Sequence, residues 1–347
     1  MLNTVAILLQ LSCLSDPGKD GAGESAKELF TFEAHSTEIR ACAYSADGKY
    51  LATAAWNSDP KVWSVRERKA LWAYKRPNNE QGSIFKLVFS PNGTYLAACG
   101  VFDKAYVWDV ESQKLIATLP APFRRLSSTS ALAFSPDGSL LAVGGTIWKT
   151  DTWETKETLT PIIDPRWIAF RPDGKSLIAT IPVGGSNPIS QIHEWNLSSP
   201  PTSRVLTTDR IQTYLFALSP DGNRIAYCET PLHKYTVIDS HSGKLVHSAE
   251  LDMRSILTAA FSPDGTMLVI GGQFSKPYQA NDKKWGTGAF VFDCKEWQLL
   301  TTLVGHTGMV SSAVFSKDGT LATSCLHGKV KLWDLSGLKP AQARDGK

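Results

Sequence analysis

One phrase recurs seven times along this chain, and it constrains the fold more than anything else in the sequence. The copies are YSADGKYLATAA (from residue 44), FSPNGTYLAACG (89), FSPDGSLLAVGG (134), FRPDGKSLIATI (170), LSPDGNRIAYCE (218), FSPDGTMLVIGG (261) and FSKDGTLATSC (315). In each, Asp-Gly or Asn-Gly supplies the positive φ angles that a tight hairpin needs, and β-forming runs flank it on both sides. Each copy is therefore expected to be two antiparallel strands. A hairpin alone is only marginally stable.

The turn glycines stand at 48, 93, 138, 174, 222, 265 and 319, at intervals of 45, 45, 36, 48, 43 and 54 residues. Such a period suits four short strands per repeat, as in a propeller blade, and is too long for a leucine-rich repeat. A second shared element follows each turn: KVWSV (61), YVWDV (106), TIWKT (146), HEWNL (193), TVIDS (236), FVFDC (290) and KLWDL (331). Its central residue is expected to be the core residue of a third strand. The short interval of 36 is read as a connection trimmed by about five residues in blade 3. The segments 273–288 and 182–191 read as insertions between the second and third strands of blades 6 and 4.

On these residues the chain resembles the WD-repeat β-propellers. Trp-Asp is intact at Trp108-Asp109 and Trp333-Asp334, Gly305-His306 matches the Gly-His pair before a blade, and Ala34-His35 is a partial copy. The resemblance implies an all-β, seven-bladed β-propeller with four-stranded antiparallel blades over residues 28–336. Residues 1–27 then form an apolar N-terminus with a polar linker, and 337–347 a polar tail. Because ELFTFEAH (28–35) matches QLLTTLVGH (298–306), the N-terminal strand is expected to complete the last blade and close the ring, removing an open sheet edge.

The resemblance also implies structural roles. His35, Thr53, Asn57 and Trp63 in blade 1, and His306, Thr323, His327 and Trp333 in blade 7, match a hydrogen-bonded network of His, Ser or Thr, Asp and Trp. The Asp is absent from both sets. Trp108, Trp148 and Trp195 are the corresponding strand-three rings of blades 2, 3 and 4.

Composition removes several function classes. A net charge of +3, from 36 basic and 33 acidic residues, is too small and too evenly spread for a nucleic-acid stripe. The six cysteines have no zinc-binding spacing and sit mostly in apolar runs, so they read as buried free thiols, which mildly favours a reducing compartment. The apolar run Val5–Leu11 lacks a preceding Lys or Arg and is too short to span a bilayer. Cytoplasmic placement is favoured, with export through residues 1–15 as the alternative. No nucleophile elbow, phosphate loop, dinucleotide fingerprint or metal-ligand spacing is present, so no catalytic, metal or cofactor residue is expected. The Gly-Gly pairs at 144, 184 and 271 read as strand-end turns, and the sequons at Asn92 and Asn196 as turn asparagines.

With the seven Asp-Gly turns on one face, the variable connections collect on the other, which is the expected recognition surface. Arg40, Phe85, Arg166 and Tyr214 are placed near the channel mouth on that face. Trp56, Arg124, Arg125, Trp167, Tyr278 and Trp285 lie on adjacent connections. Arg, Tyr and Trp dominate interface hot spots, so the reading is a non-catalytic scaffold, a monomeric propeller that binds a protein or peptide partner. The alternative is an exported propeller of the periplasmic Tol or prolyl-oligopeptidase-associated type.

Overall fold

A computed structural model of the chain describes residues 25–77, 82–101, 103–120, 131–159, 165–183, 189–198, 201–207, 215–229, 232–276 and 286–338. The described strands form seven four-stranded sheets, every pairing antiparallel, and no α-helix occurs among the described residues. After β1 (Lys27–Glu33), blade 1 comprises β2 (Ile39–Tyr44), β3 (Tyr50–Ala55), β4 (Lys61–Ser64) and β5 (Lys69–Ala73). Blade 2 has β6 (Ile84–Phe89), β7 (Tyr95–Gly100), β8 (Lys104–Asp109) and β9 (Leu115–Pro120). Blade 3 has β10 (Leu132–Phe134), β11 (Leu140–Val143), β12 (Thr146–Lys149) and β13 (Thr155–Thr158). Blade 4 has β14 (Ile168–Phe170), β15 (Ser176–Val183), β16 (Ile189–Asn196) and β17 (Thr202–Val205). Blade 5 has β18 (Leu215–Leu218), β19 (Arg224–Glu229), β20 (Lys234–Asp239) and β21 (Leu245–Glu250). Blade 6 has β22 (Met253–Phe261), β23 (Met267–Phe274), β24 (Thr287–Asp293) and β25 (Leu299–Leu303). Blade 7 takes β26 (Val310–Phe315), β27 (Leu321–Cys325) and β28 (Lys329–Asp334) from the C-terminal end of the chain.

The ring closes as the sequence predicts. Strand β1 pairs with β28 from Lys27↔Asp334 to Glu33↔Lys329, supplying the outer strand of blade 7. The first strand of each blade is innermost, and β2 lies between β6 and β26. The hydrophobic clusters occupy the contacts between neighbouring blades; one joins Ile39, Leu51 and Ala55 to Ala322, Val330 and Leu332 across the closure. The core is thus a ring of sheet-on-sheet interfaces, and no blade buries its faces without its neighbours.

The repeated turn differs in detail from the expected hairpin. Only the glycine has positive φ, +72° at Gly48 and +75° at Gly93, while the preceding Asp or Asn keeps negative φ. Ser45 N donates to Tyr50 O at 2.9 Å and Gly48 N to Ser45 O at 2.9 Å, so the loop is a four-residue turn with glycine in the left-handed position. The carboxylate instead closes the loop from inside: Asp47 Oδ1 accepts Ser45 Oγ at 2.7 Å and Lys49 N at 3.1 Å. Asn92 does the same with Ser90 Oγ at 2.7 Å and Thr94 N at 3.1 Å.

Blade 3 is trimmed to a two-residue connection, Gly144-Gly145, between β11 and β12. Gly271 is a correction to the turn reading, because it lies inside β23. A side chain there would meet Val310 Cγ1 at 2.7 Å, and one on Gly272 would meet Ser255 O at 2.0 Å, so close approach of β22 and β26 excludes larger residues. Five of the cysteines, 42, 99, 228, 294 and 325, are buried free thiols, and Cys13 lies outside the described residues.

Candidate functional site

The face opposite the Asp-Gly turns begins with a defect repeated in the inner strands. Pairing slips by one residue between Ile39 and Ala41, between Ile84 and Lys86, between Ile256 and Thr258, and between Val310 and Ser312. Arg40, Phe85, Leu257 and Ser311 are the extra residues at these bulges. A β-bulge bends its strand and re-aims a side chain, and it recurs near the start of the inner strands of blades 1, 2, 6 and 7. The alignment located these positions, but the bulge itself leaves no mark in a single sequence.

At the junction of blades 7 and 1 this rim opens into a groove of ≈730 Å³ lined by Ser36, Thr37, Glu38, Arg40, Trp56, Leu326 and His327. Trp56 is 50% exposed, and the Arg40 guanidinium lies 5.3 Å from its ring centroid. Arg40 Nη2 donates to the Glu38 carboxylate. Trp56 N donates to Glu38 O at 2.7 Å and Thr37 Oγ1 donates to Trp56 O at 3.2 Å, so the two loops that carry the groove are tied together. Glu38, Thr37 and Leu326 were not anticipated as part of this site, since nothing in their local sequence separates them from other loop residues.

The remaining expected rim residues divide. Arg166 sits just before β14, its backbone N bonded to Thr180 O at 3.3 Å. Trp167 is a correction: it is only 7% exposed and packs in a tilted arrangement against Phe216 at 5.7 Å beside Ile178, Ile192 and Leu206, so it is core between blades 4 and 5 rather than rim. Arg124, Arg125, Tyr214, Tyr278 and Trp285 lie outside the described residues.

Beneath this face lie the polar positions of blades 1 and 7. His35 Nε2 and Thr53 Oγ1 are 2.9 Å apart, and Trp63 Nε1 donates to the same hydroxyl at 2.9 Å. In blade 7, His306 Nε2 and Thr323 Oγ1 are 2.8 Å apart and Trp333 Nε1 donates to Thr323 Oγ1 at 2.8 Å. The missing Asp has different consequences in the two blades. Asn57 turns away to accept Gly82 N at 2.7 Å, and Ser58 Oγ faces His35 Nδ1 at 3.4 Å instead. His327 faces Thr307 Oγ1 at 3.3 Å and leaves the buried His306 Nδ1 without a partner. Burial and the nearby Lys61 ammonium pull the His35 pKa down to about 4, while burial and Lys331 pull His306 to about 3. Both rings are therefore neutral at pH 7.

Blade 4 carries a polar cluster that the sequence reading passed over. Arg171 replaces the serine that opens the other six turns. Its Nε donates to Glu194, while Nη1 reaches Gly222 O at 2.8 Å and Ser240 Oγ at 2.9 Å, and Nη2 reaches Ser240 O at 2.8 Å. Arg204 covers the other Glu194 oxygen through Nε at 2.8 Å. Burial raises the Glu194 pKa, but the two guanidiniums outweigh it and hold the carboxyl below its usual value. The signal was available: FRPDG is the one copy with a charge in place of Ser or its equivalent.

No group of three or more His, Cys, Asp or Glu among the described residues is arranged to hold a metal ion. No helix among them is long and apolar enough to cross a membrane. The geometry defines a class, a closed seven-bladed propeller with one regular turn face and one grooved loop face. The family model for the WD domain, G-beta repeat, matches residues 26–64 and 297–334, the parts of the chain that hold the two His–Thr–Trp sets and the closing strand. These two matches and the seven-bladed ring together support a WD-repeat β-propeller, a fold that generally mediates protein interactions and is typically non-enzymatic. No curated protein matches the sequence.

Proposed function

We propose that the protein is a non-catalytic scaffold whose loop face binds a protein or peptide partner at the groove between blades 7 and 1. One observation carries this reading: Trp56, a large ring that is half exposed, lines an open groove with the Arg40 guanidinium held over it. Preordered aromatic and arginine side chains lose little conformational freedom on association, which is why such pairs anchor interfaces. The opposite face, by contrast, presents short turns whose polar groups are bonded internally.

The test is cross-linking capture from the native host with tagged protein, beside a Trp56→Ala/Arg40→Gln double variant and a turn-face control, Lys49→Glu, all with matched melting temperatures. A partner recovered by wild type and by the control but lost by the double variant supports the groove. Equal recovery by all three removes it.

A further inference from the structure

The side chains that line the groove between blades 7 and 1 differ in how far their bonding capacity is already used. Glu38 and Arg40 are the only Asp, Glu, Lys or Arg in the lining, and they pair with each other through Arg40 Nη2, so their charges cancel within the groove. A charged partner therefore gains no net attraction from the lining to offset its own desolvation. The apolar area comes from Trp56, half exposed between β3 and β4, and from Leu326, partly exposed between β27 and β28. Both loops are fixed through their backbones, since Leu326 N donates to Met309 O at 3.0 Å just as Trp56 N donates to Glu38 O. The side-chain groups left over are mainly donors. Among the described residues the Trp56 indole N–H and the exposed Ser36 hydroxyl have no acceptor, and Arg40 donates through Nη2 alone, its Nε being unpartnered. Against these stands one carboxylate, Glu38, and Arg40 already holds one of its oxygens.

We propose that the occupant of this groove is an extended, proline-bearing peptide that is uncharged where it docks. A proline ring lies on Trp56 and against Leu326, and the backbone carbonyls beside it accept from the Trp56 indole N–H and from Arg40. The proposal rests on the loop-face reading above and adds the chemistry of the partner. Proline brings a carbonyl and no N–H, so such a segment supplies acceptors to a donor-rich lining without stranding donors of its own. A β-strand partner, by contrast, brings an N–H at every residue to a groove whose one carboxylate is half used. A proline segment is also extended before it binds, which lowers the ordering cost, and aromatic-lined grooves are the surfaces that take such segments.

The experiment is selection of a random 12-residue displayed peptide library on the full chain, followed by fluorescence anisotropy of an enriched peptide. Wild type is compared with Trp56→Ala, Trp56→Phe and the turn-face control Lys49→Glu, each checked for an unchanged melting temperature, which a half-exposed residue permits. The expected result is enrichment of proline, with about a tenfold or greater loss of affinity when that proline is changed to alanine or when Trp56→Ala is used. Trp56→Phe keeps a ring and removes the indole N–H, and it should weaken binding about fivefold, the loss of one hydrogen bond. Raising the salt from about 50 mM to about 500 mM should change the affinity by less than about twofold, because the docked groups carry no net charge. Enriched peptides that need Trp56 but show no proline preference, or that bind through a charged residue with a steep loss in salt, overturn the proline site and leave the loop-face reading intact. Peptides that bind Trp56→Ala like wild type overturn the groove for both. If no peptide is enriched the proposal falls, and the capture experiment above decides the loop-face reading on its own.

Discussion

Blades 1 and 7 solve a packing problem that blades 2 and 3 leave open. In the first pair the strand-three indole N–H reaches a threonine hydroxyl, Trp63 to Thr53 and Trp333 to Thr323. In the second pair the residues at the threonine position are Ala98 and Val143, and the buried Nε1 atoms of Trp108 and Trp148 have no acceptor. Trp108 is nevertheless only 1% exposed, packed against Tyr74 at 5.2 Å and Tyr106 at 5.7 Å. One fold position is therefore held either by a directional polar network or by apolar and aromatic area alone. The family model matches the two ends of the chain, where these networks lie, while the propeller geometry runs through all seven blades.

The comparison can be broken most severely at the closure. Deleting residues 27–33 removes the outer strand of blade 7 and exposes the edge of β28. Loss of the cooperative thermal transition, or a fall in melting temperature greater than any single substitution produces, is expected. An unchanged transition by calorimetry would show that blades 1 and 7 do not depend on one another.

Arg171→Ala tests the other polar tie, between blades 4 and 5. It leaves Glu194 buried with one guanidinium instead of two, removes the Nη2 donor to Ser240 O and leaves Gly222 O with the Ser240 hydroxyl alone. Breaking a buried pair in this way costs about 3 to 5 kcal/mol, measurable by urea denaturation. A cost below about 1 kcal/mol would mean that water replaces the guanidinium.

A sharper contrast comes from paired Trp→Phe variants. Trp333→Phe removes a packed ring and leaves Thr323 short of a donor, whereas Trp108→Phe also relieves an unpaired indole N–H. The blade 7 variant should be less stable than the blade 2 variant by about 1 to 3 kcal/mol, the cost of an unmatched buried polar group. Equal losses would show that apolar area decides both sites.

Acid should weaken the networked blades first. His35 and His306 are neutral in the fold, with pKa values near 4 and 3, against an ordinary value of 6.5. Their contribution is fully present above pH 6.5 and is lost as pH falls, since the unfolded chain takes up protons that the fold refuses. Between pH 6.5 and 5 each removes about 2 kcal/mol, and His306→Gln should flatten the fall in melting temperature over that range. The smallest expected effect is a gain: Ala98→Thr offers Trp108 a hydroxyl and should stabilise blade 2 by about 1 kcal/mol, read from the same denaturation curves.

Much of this was legible in the chain itself. Seven Asp-Gly or Asn-Gly turns at a propeller period specify hairpins, and the match of residues 28–35 to 298–306 specifies how they close. Legibility failed where a residue's role depends on distant neighbours. Trp167 looks like a rim residue on its connection, yet Phe216, from the next blade, buries it. Asn57 fits the network by alignment, but Gly82 draws its side chain elsewhere. Gly271 resembles a turn glycine until Val310, from blade 7, is placed against it.

The sequence by itself determined the local chemistry: glycine at the one positive φ of each turn, a carboxamide or carboxylate to close it, and alternating apolar residues that demand a partner sheet. These preferences act over a few residues and repeat with the chain. Only the tertiary structure decided which surfaces meet. The groove formed by loops from opposite ends of the sequence, with Leu326 and His327 beside Arg40 and Trp56, arises when the ring closes. Closure brings residues some 270 positions apart into contact, as Ser311 Oγ donating to Ile39 O at 2.6 Å makes plain, and no local propensity encodes a contact of that span.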